Sequence, residues 1–551
     1  FMTAHTYAAD TEKDITVANA NELLDFLNNV EAYKNSNITL ENDINLTGIS
    51  TAFTASGMFD GTFDGNNYSI TYVNTTNALF ESLGENAVVK NLGIAGTSIG
   101  ENAASIAVTN NGIIENVKSY VKVMAQSKAG GICVTNNGTV KNCEKSGGTY
   151  SSVNATRTGG IAADNMGKVL KCASFGEVFG NVSQELTMSE NVAGVVAYNS
   201  GEVSECTNGA TVVGNKCTAG VVGYNAGNIS LCVNKGSVNA QGEYSGGIVG
   251  SIKKDKVSCE VSYCDNYGTV TSSSPKCGGV AGSNAGSSIH HCVNHGDVTG
   301  KSLTAGVLGN AWIGSISLCR NYGNVTAEED VGGVVGHEAG LNIYACDNYG
   351  DVKLENGGGR IGGVVGRIVN TGENIATAID SCFNAGTVSV KTTANFSGGI
   401  IGKSEQTFPS APKITNCANV GVIYGSATVG GIIGGTTGII QNCYVKNYSN
   451  ICVSCTEMSN SFVWSEDTGD EYLNGAMADK LGKDKWIQGN EYPIPAAVTQ
   501  IQESYTGGVV SGSNVDFEYE DDKNYVTKLF VPKEYCGPNS LFDIYPEISG
   551  T

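Results

Sequence analysis

The segment Ile316–Val325 reads ISLCRNYGNV, and close copies stand at 289–298 (IHHCVNHGDV) and 343–352 (IYACDNYGDV). The shared pattern is I/V-x-x-C-x-N-x-G-x-V. Its cysteine falls at Cys143, Cys172, Cys206, Cys232, Cys264, Cys292, Cys319, Cys346, Cys382, Cys417 and Cys443, with spacings from 26 to 36 residues. Before each decapeptide stands a small-Gly pair followed by aliphatics, as in SGGIVG (245–250), TAGVLG (304–309) and VGGVVG (331–336). Two degenerate units, 77–96 and 103–123, precede these, and the second carries Val117 where cysteine would stand. Self-similarity at such a period defines a repeat architecture.

The unit is rich in Val, Ile, Thr and Tyr, in short runs broken by Gly and Asn, which predicts strands and tight turns. Three strands fit: the GGVVG run, the I-x-x-C run and the G-x-V run. A propeller blade needs about 40 residues, and blades number about four to eight. About thirteen units of about 30 residues suit a three-faced solenoid coil instead. The expected fold is therefore all-β: a right-handed parallel β-helix (β-solenoid) of about thirteen coils. At about 4.8 Å per coil it would be roughly 60 Å long. The 36-residue gap from Cys346 to Cys382 contains ENGGGRIGG and VNTGENIATA, which predict loop growth.

Stacking explains the recurrence. In a parallel β-helix an inward residue meets its own copy above and below. Cysteine is small and readily buried, so a column of cysteines fills a narrow corner. The asparagines two places on (Asn208, Asn234, Asn266, Asn294, Asn321, Asn348, Asn384, Asn419) are expected to form an amide ladder. Asn also tolerates the left-handed backbone of a sharp corner, and the following Gly supplies positive φ or close approach. Free stacked thiols are expected rather than disulfides, because in-register parallel strands hold the Cβ atoms too far apart. In an exported protein that implies an anaerobic habitat or thiols buried beyond oxidation. Cys217 and Cys277 form a separate set, and Cys452 with Cys455 reads as buried or disulfide-linked.

At this point the chain resembles the GLUG-type repeat, which occurs in bacterial surface adhesins and near the N-terminal regions of zinc-dependent immunoglobulin A peptidases. The segments 38–48 (ITLENDINLTG) and 58–70 (MFDGTFDGNNYSI) are similar to the beginnings of such β-helices, and 481–495 (LGKDKWIQGNEYPIP) to their ends. The resemblance covers residues 14–496 and implies a scaffold.

Five regions follow: an N-terminal extension (1–16), a cap helix with the first coils (17–100), GLUG-type repeats (101–450), a C-terminal cap (451–496) and a β-rich extension (497–551). In 17–30, Leu23, Leu24, Phe26, Leu27 and Val30 recur at helical spacing, and Asn19 or Asn21 suits the cap. A second helix is expected over 469–482, with Tyr472, Leu473, Met477 and Leu481 on one face and Trp486 and Tyr492 completing the cap. NVDFEYE and YVTKLFV alternate like a hairpin.

The 551 residues carry 32 Lys and Arg against 53 Asp and Glu, a net charge of −21. That balance argues against nucleic acid or an anionic membrane as partner. No apolar run is long enough for a transmembrane helix. Tyr7-Ala8-Ala9 resembles the small-residue end of a secretory cleavage site, which points to export.

Catalytic, cofactor and metal sites are expected to be absent. His337-Glu338 lies in a repeat, with Leu341 where an H-E-x-x-H motif needs its second His. His290 and His291 read as strand-surface residues and His295 as a substitute in a tyrosine column. Asp60 and Asp64 read as turn residues, and Asp297 and Asp351 as outward positions after the corner Gly, two coils apart. One column stands apart: Tyr267, His295, Tyr322 and Tyr349 lie between the ladder Asn and the Gly in consecutive coils. If Asn points in, these point out, as a ligand or subunit contact or as a self-stacking brace.

The function expected is a non-catalytic, extracellular, cell-surface adhesin or stalk that binds glycan or protein through a long face. A second possibility is a structural subunit that joins its copies into a filament through 1–16 and 497–551 as added strands. A third is the non-catalytic region of a larger secreted protease, which predicts chain beyond Thr551.

Overall fold

The computed structural model describes residues 13–501, apart from 50–52, 152–155, 181–189, 254–258, 357, 370–376, 392–395, 407–410, 426–427, 436–437 and 465–468, and the backbone of 514–520 and 526–532. A single hydrogen-bonded sheet of 61 strands runs through the repeats. Its strands pair in parallel, each with its equivalent one coil on. This is a parallel β-helix.

A regular coil holds five short strand segments rather than the three expected. In one coil they are Thr218–Ala219, Val222–Asn225, Asn228–Ser230, Val233–Asn234 and Val238–Ala240. The extra breaks fall at the small-Gly pair and just before the Cys. At both places the backbone bends too sharply to continue the ladder.

The register of one column, interior from Ile38 to Ile440, measures the stack. It runs Ile15, Ile38, Phe63, Val89, Ile114, Val140, Val169, Val203, Ile229, Val261, Ile289, Ile316, Ile343, Ile379, Ile414, Ile440 and Met458. The column has seventeen members where about thirteen coils were expected. The added tiers lie at the two ends, in sequence without the decapeptide. Sixteen steps of about 4.8 Å give about 77 Å along the axis. Ile15 belongs to the strand Asp14–Val17, so the expected N-terminal extension joins the sheet by residue 14. Residues 1–12 lie outside the described residues.

The interior is a continuous apolar cluster of these Val and Ile side chains with the cysteines. Helix Ala20–Asn28 closes its first end. The Asn19 side chain accepts from the backbone N–H of Asn21 and Glu22, and the Glu22 carboxylate accepts from Ala18 N–H and from the Asn19 side-chain amide, both at 2.7 Å, so cap and first turn bond reciprocally. Leu23, Phe26 and Leu27 are buried, and the Phe26 ring lies 5.5 Å from Phe59 and 5.7 Å from Phe63.

The C-terminal region departs from expectation. Instead of one helix there are two, Gly469–Leu473 and Ala476–Leu481, broken at Gly475, which takes φ 88°. The break turns Leu473 outward to 55% exposure, while Tyr472, Met477 and Leu481 stay buried. These residues, with Trp486, Val498 and Ile501, pack against Val293, Phe383, Ala418 and Tyr444. Those four occupy the outward place just after the ladder Cys in different coils. The segment therefore lies along the side of the solenoid. Apolar residues at that place need cover, and the chain folds back to supply it.

Residues 502–551 form a separate unit. In it Asn514–Glu520 and Val526–Pro532 pair as antiparallel strands. Among the described residues, no helix is long and apolar enough to cross a membrane.

Candidate functional site

The decapeptide corner is built three residues before its asparagine. The residue before each Cys adopts the left-handed conformation: φ is 55° at Leu231, 54° at Tyr263, 54° at Leu318 and 50° at Ala345. The ladder asparagines have ordinary backbones, which corrects the expectation that Asn itself makes the turn. A bulky residue in this region costs about 1–2 kcal/mol, so stacking from both sides must hold it there. Nor do the Gly residues that follow take positive φ. At Gly323 a Cβ would stand well inside van der Waals contact of the Gly296 carbonyl one coil below. Close approach is the reason for glycine there.

The eleven ladder cysteines are buried and unbonded. Cys319 Sγ lies 3.3 Å from Ser317 O, and its neighbours make the same local contact. Burial pushes the Cys292 and Cys319 thiols well above their usual range. Cys217 and Cys277, also buried, are pushed up to about 12. Cys452 and Cys455 are joined as a disulfide.

Each ladder Asn is fully buried. Asn321 Nδ2 donates to Asn348 Oδ1 at 2.7 Å and to Gly323 O at 2.7 Å, and Asn294 donates to Asn321 Oδ1 at 2.8 Å. The same pattern runs from Asn208 to Asn419. A second amide ladder was missed: Asn110, Asn136, Asn165, Asn199 and Asn225, linked at 2.7–2.8 Å. Its sequence signal was present, because N-x-G recurs shortly before the Cys at 136–138, 165–167, 199–201 and 225–227.

The aromatic column stacks as a self-contacting brace. Ring centroids lie 4.4 Å apart for Tyr267–His295, 5.2 Å for His295–Tyr322 and 5.5 Å for Tyr322–Tyr349. Stacking uses the ring faces, so a partner meets edges. Tyr322 and Tyr349 remain about 40% and 37% exposed. Arg320 donates to the Tyr322 hydroxyl at 3.0 Å, and its guanidinium lies 5.2 Å from the Tyr349 ring centre. Burial, with Arg320 nearby, pushes His295 down to about 4.

The other candidates are structural in their contacts. His290 Nε2 meets Glu260 at 2.9 Å, and His290 and His291 share a contact between their Nδ1 atoms. Among the described residues, no three His, Cys, Asp or Glu side chains gather as a metal site. Asp297 accepts from Asn324 N–H, Asn324 from Asp351 N–H and Asp351 from Thr387 N–H, so each caps the turn above. Asp60 accepts from Asn86 N–H, and Asp64 from Asn66 N–H.

Glu338 sits in strand Val335–Tyr344 and shares an inward column with Asn284 and Ala311. Fully buried, it accepts from Leu341 N–H at 2.8 Å and the Thr377 hydroxyl at 2.7 Å. Burial pushes its carboxyl up from 4.5 to about 7. The folded state therefore holds this proton more tightly than the unfolded chain does. The contribution is fully present below about pH 4.5, is lost as pH rises towards 7, and stays lost above it; the whole loss is of order 3 kcal/mol. Glu338→Gln is expected to match the parent in urea stability at pH 4 and to exceed it by about 2–3 kcal/mol at pH 8. Equal stability at both pH values would contradict this.

The fold and its columns define a parallel β-helix repeat protein. No protein-family description matches the chain, and no curated protein matches it. Among solved structures it is similar to a protein from Bacteroides ovatus described as a "putative immunoglobulin A1 protease". The two are 14% identical over 87% of this chain and 91% of that one, with a TM-score of 0.25.

Proposed function

We propose that this chain is a non-catalytic extracellular scaffold of the GLUG-repeat type, an adhesin or stalk that holds a long rigid face towards glycan or protein at the cell surface. The supporting observation is the unbroken register of seventeen tiers. In the coils from Cys206 to Cys417, a thiol column and an amide ladder run through the interior. Side chains committed in this way rigidify a rod, and function then falls to the outward columns. Of these, Tyr267, His295, Tyr322 and Tyr349 offer ring edges to a partner. Tyr322→Ser combined with Tyr349→Ser is expected to weaken attachment of the purified chain to partner-coated surfaces at least threefold, with the circular dichroism unchanged. Unchanged attachment would remove this column from the contact and leave it as a brace.

A further inference from the structure

A different face carries the most specific chemistry. Two outward columns run side by side along the stack. One passes through Lys128, Arg157, Asn191, Cys217, Tyr244 and Lys276, and the other through Asp164, Tyr198, Tyr224, Ser251 and Ser283. Between them lies a groove of roughly 790 Å³. Its chemistry differs from that of the chain as a whole, which carries −21.

Lys128, Arg157, Lys216 and Lys253 line the groove, and Lys276 stands beside it. Among the described residues, the carboxylates facing these cations are Asp164 and Glu243, with Glu190 buried nearby. Lys128 and Arg157 share the one Asp164 carboxylate, so that pair keeps a net positive charge. Tyrosines hold the cations in place. The Arg157 guanidinium lies 4.3 Å from the Tyr198 ring centre, and Lys276 and Lys216 lie 4.4 and 5.7 Å from that of Tyr244. Tyr198 and Tyr224 stack at 5.8 Å. Cations pinned over rings lose less freedom when an anion arrives.

We infer that this groove binds a linear acidic glycan, with its carboxylate or sulfate groups on the cations and its hydroxyls on the polar floor. Three observations choose this class. Among the described residues that face the groove, from Lys128 to Lys276, the cations exceed the carboxylates by only two or three. That span is six tiers, about 24 Å, so the excess is about one charge per 10 Å, whereas duplex DNA carries one per about 1.7 Å. A sparsely charged chain matches this, and a nucleic acid does not. Second, an extended peptide would seek unpaired strand edges, but the backbone here is bonded to the coils above and below, as at Val222–Asn225 between its two neighbours. Third, the floor is polar: Thr156, Asn191, Ser251 and Ser283 line it.

This inference deepens the scaffold reading and rests on it. The test is isothermal titration of the whole chain with four probes: a polyuronate, a chondroitin sulfate, a neutral glucan of similar length and a single-stranded oligonucleotide. The expected result is salt-sensitive binding of the polyuronate or the sulfated chain, with the bound one naming the anion. Arg157→Gln, and separately Lys216→Gln with Lys253→Gln, should each weaken it at least tenfold. Lys391→Gln, several coils beyond Lys276 along the stack, should change nothing. No binding of either acidic glycan, equal binding of the oligonucleotide or glucan, or binding indifferent to the groove variants would overturn the inference. None of those outcomes touches the surface location of the protein, which is measured separately.

Discussion

Asn321→Ala is expected to destabilise the solenoid by about 3–5 kcal/mol, far more than a surface change of the same size. The alanine removes the donor to Asn348 Oδ1 and to Gly323 O, and the acceptor of Asn294 Nδ2. Asn294 keeps its bond to Gly296 O, but the Asn348 oxygen and the Gly323 carbonyl lose theirs in a fully buried column. Each unsatisfied group costs about 1–3 kcal/mol. Cys319→Ala, two residues away, leaves only a small void and is expected to cost about 1 kcal/mol. Urea denaturation followed by far-UV circular dichroism compares the two. If Asn321→Ala costs no more than Cys319→Ala, the amide ladder does not specify the stack.

The second large effect is expected at the buried ion pair. Arg320 Nε donates to Asp347 Oδ1 at 2.7 Å, and the two side chains are 3% and 0% exposed. Burial pushes the Asp347 carboxyl up, and the Arg320 charge works against that shift. Arg320 also donates to Val498 O at 3.4 Å, so it ties the C-terminal segment to the side of the coils. Asp347→Ala leaves an unpaired buried cation and is expected to cost about 3–5 kcal/mol. It should also raise hydrogen exchange across 493–501. Replacing both partners, Arg320→Met with Asp347→Leu, is expected to be close to neutral in stability. A double variant as unstable as the single one would show that the pair itself, and not the stranded charge, holds the segment.

These two sites differ in how far the sequence revealed them. The Asn column was legible because stacking turns a one-dimensional repeat into a three-dimensional line: every thirty or so residues the same side chain meets itself. The Cys column followed for the same reason. The covering of Arg320 by Val498 was not legible, because no periodicity links a cap residue to a coil so far away in the chain. The corner was misplaced for a related cause. Sequence reasoning assigns a left-handed backbone to Asn or Gly, yet the repeat places Leu231, Tyr263 and Leu318 there, held by neighbours rather than by propensity. The outer tiers were missed because Ile15, Ile38 and Met458 stack in register without the decapeptide around them.

The groove between Lys128 and Ser283 was hidden by composition. A net charge of −21 suggests a uniformly acidic surface. The register gathers Arg157, Lys216 and Lys276 from three coils onto one side, and only the coil lengths decide that.

The measurement that tests the central claim most directly is immunogold electron microscopy of intact source cells with antibodies against residues 101–450. The scaffold account predicts gold at the outer surface before any permeabilisation, as separate projections. Filaments with an axial repeat near 77 Å or longer would replace the adhesin with the assembling subunit. Gold that appears only after the cells are opened would contradict an extracellular scaffold altogether.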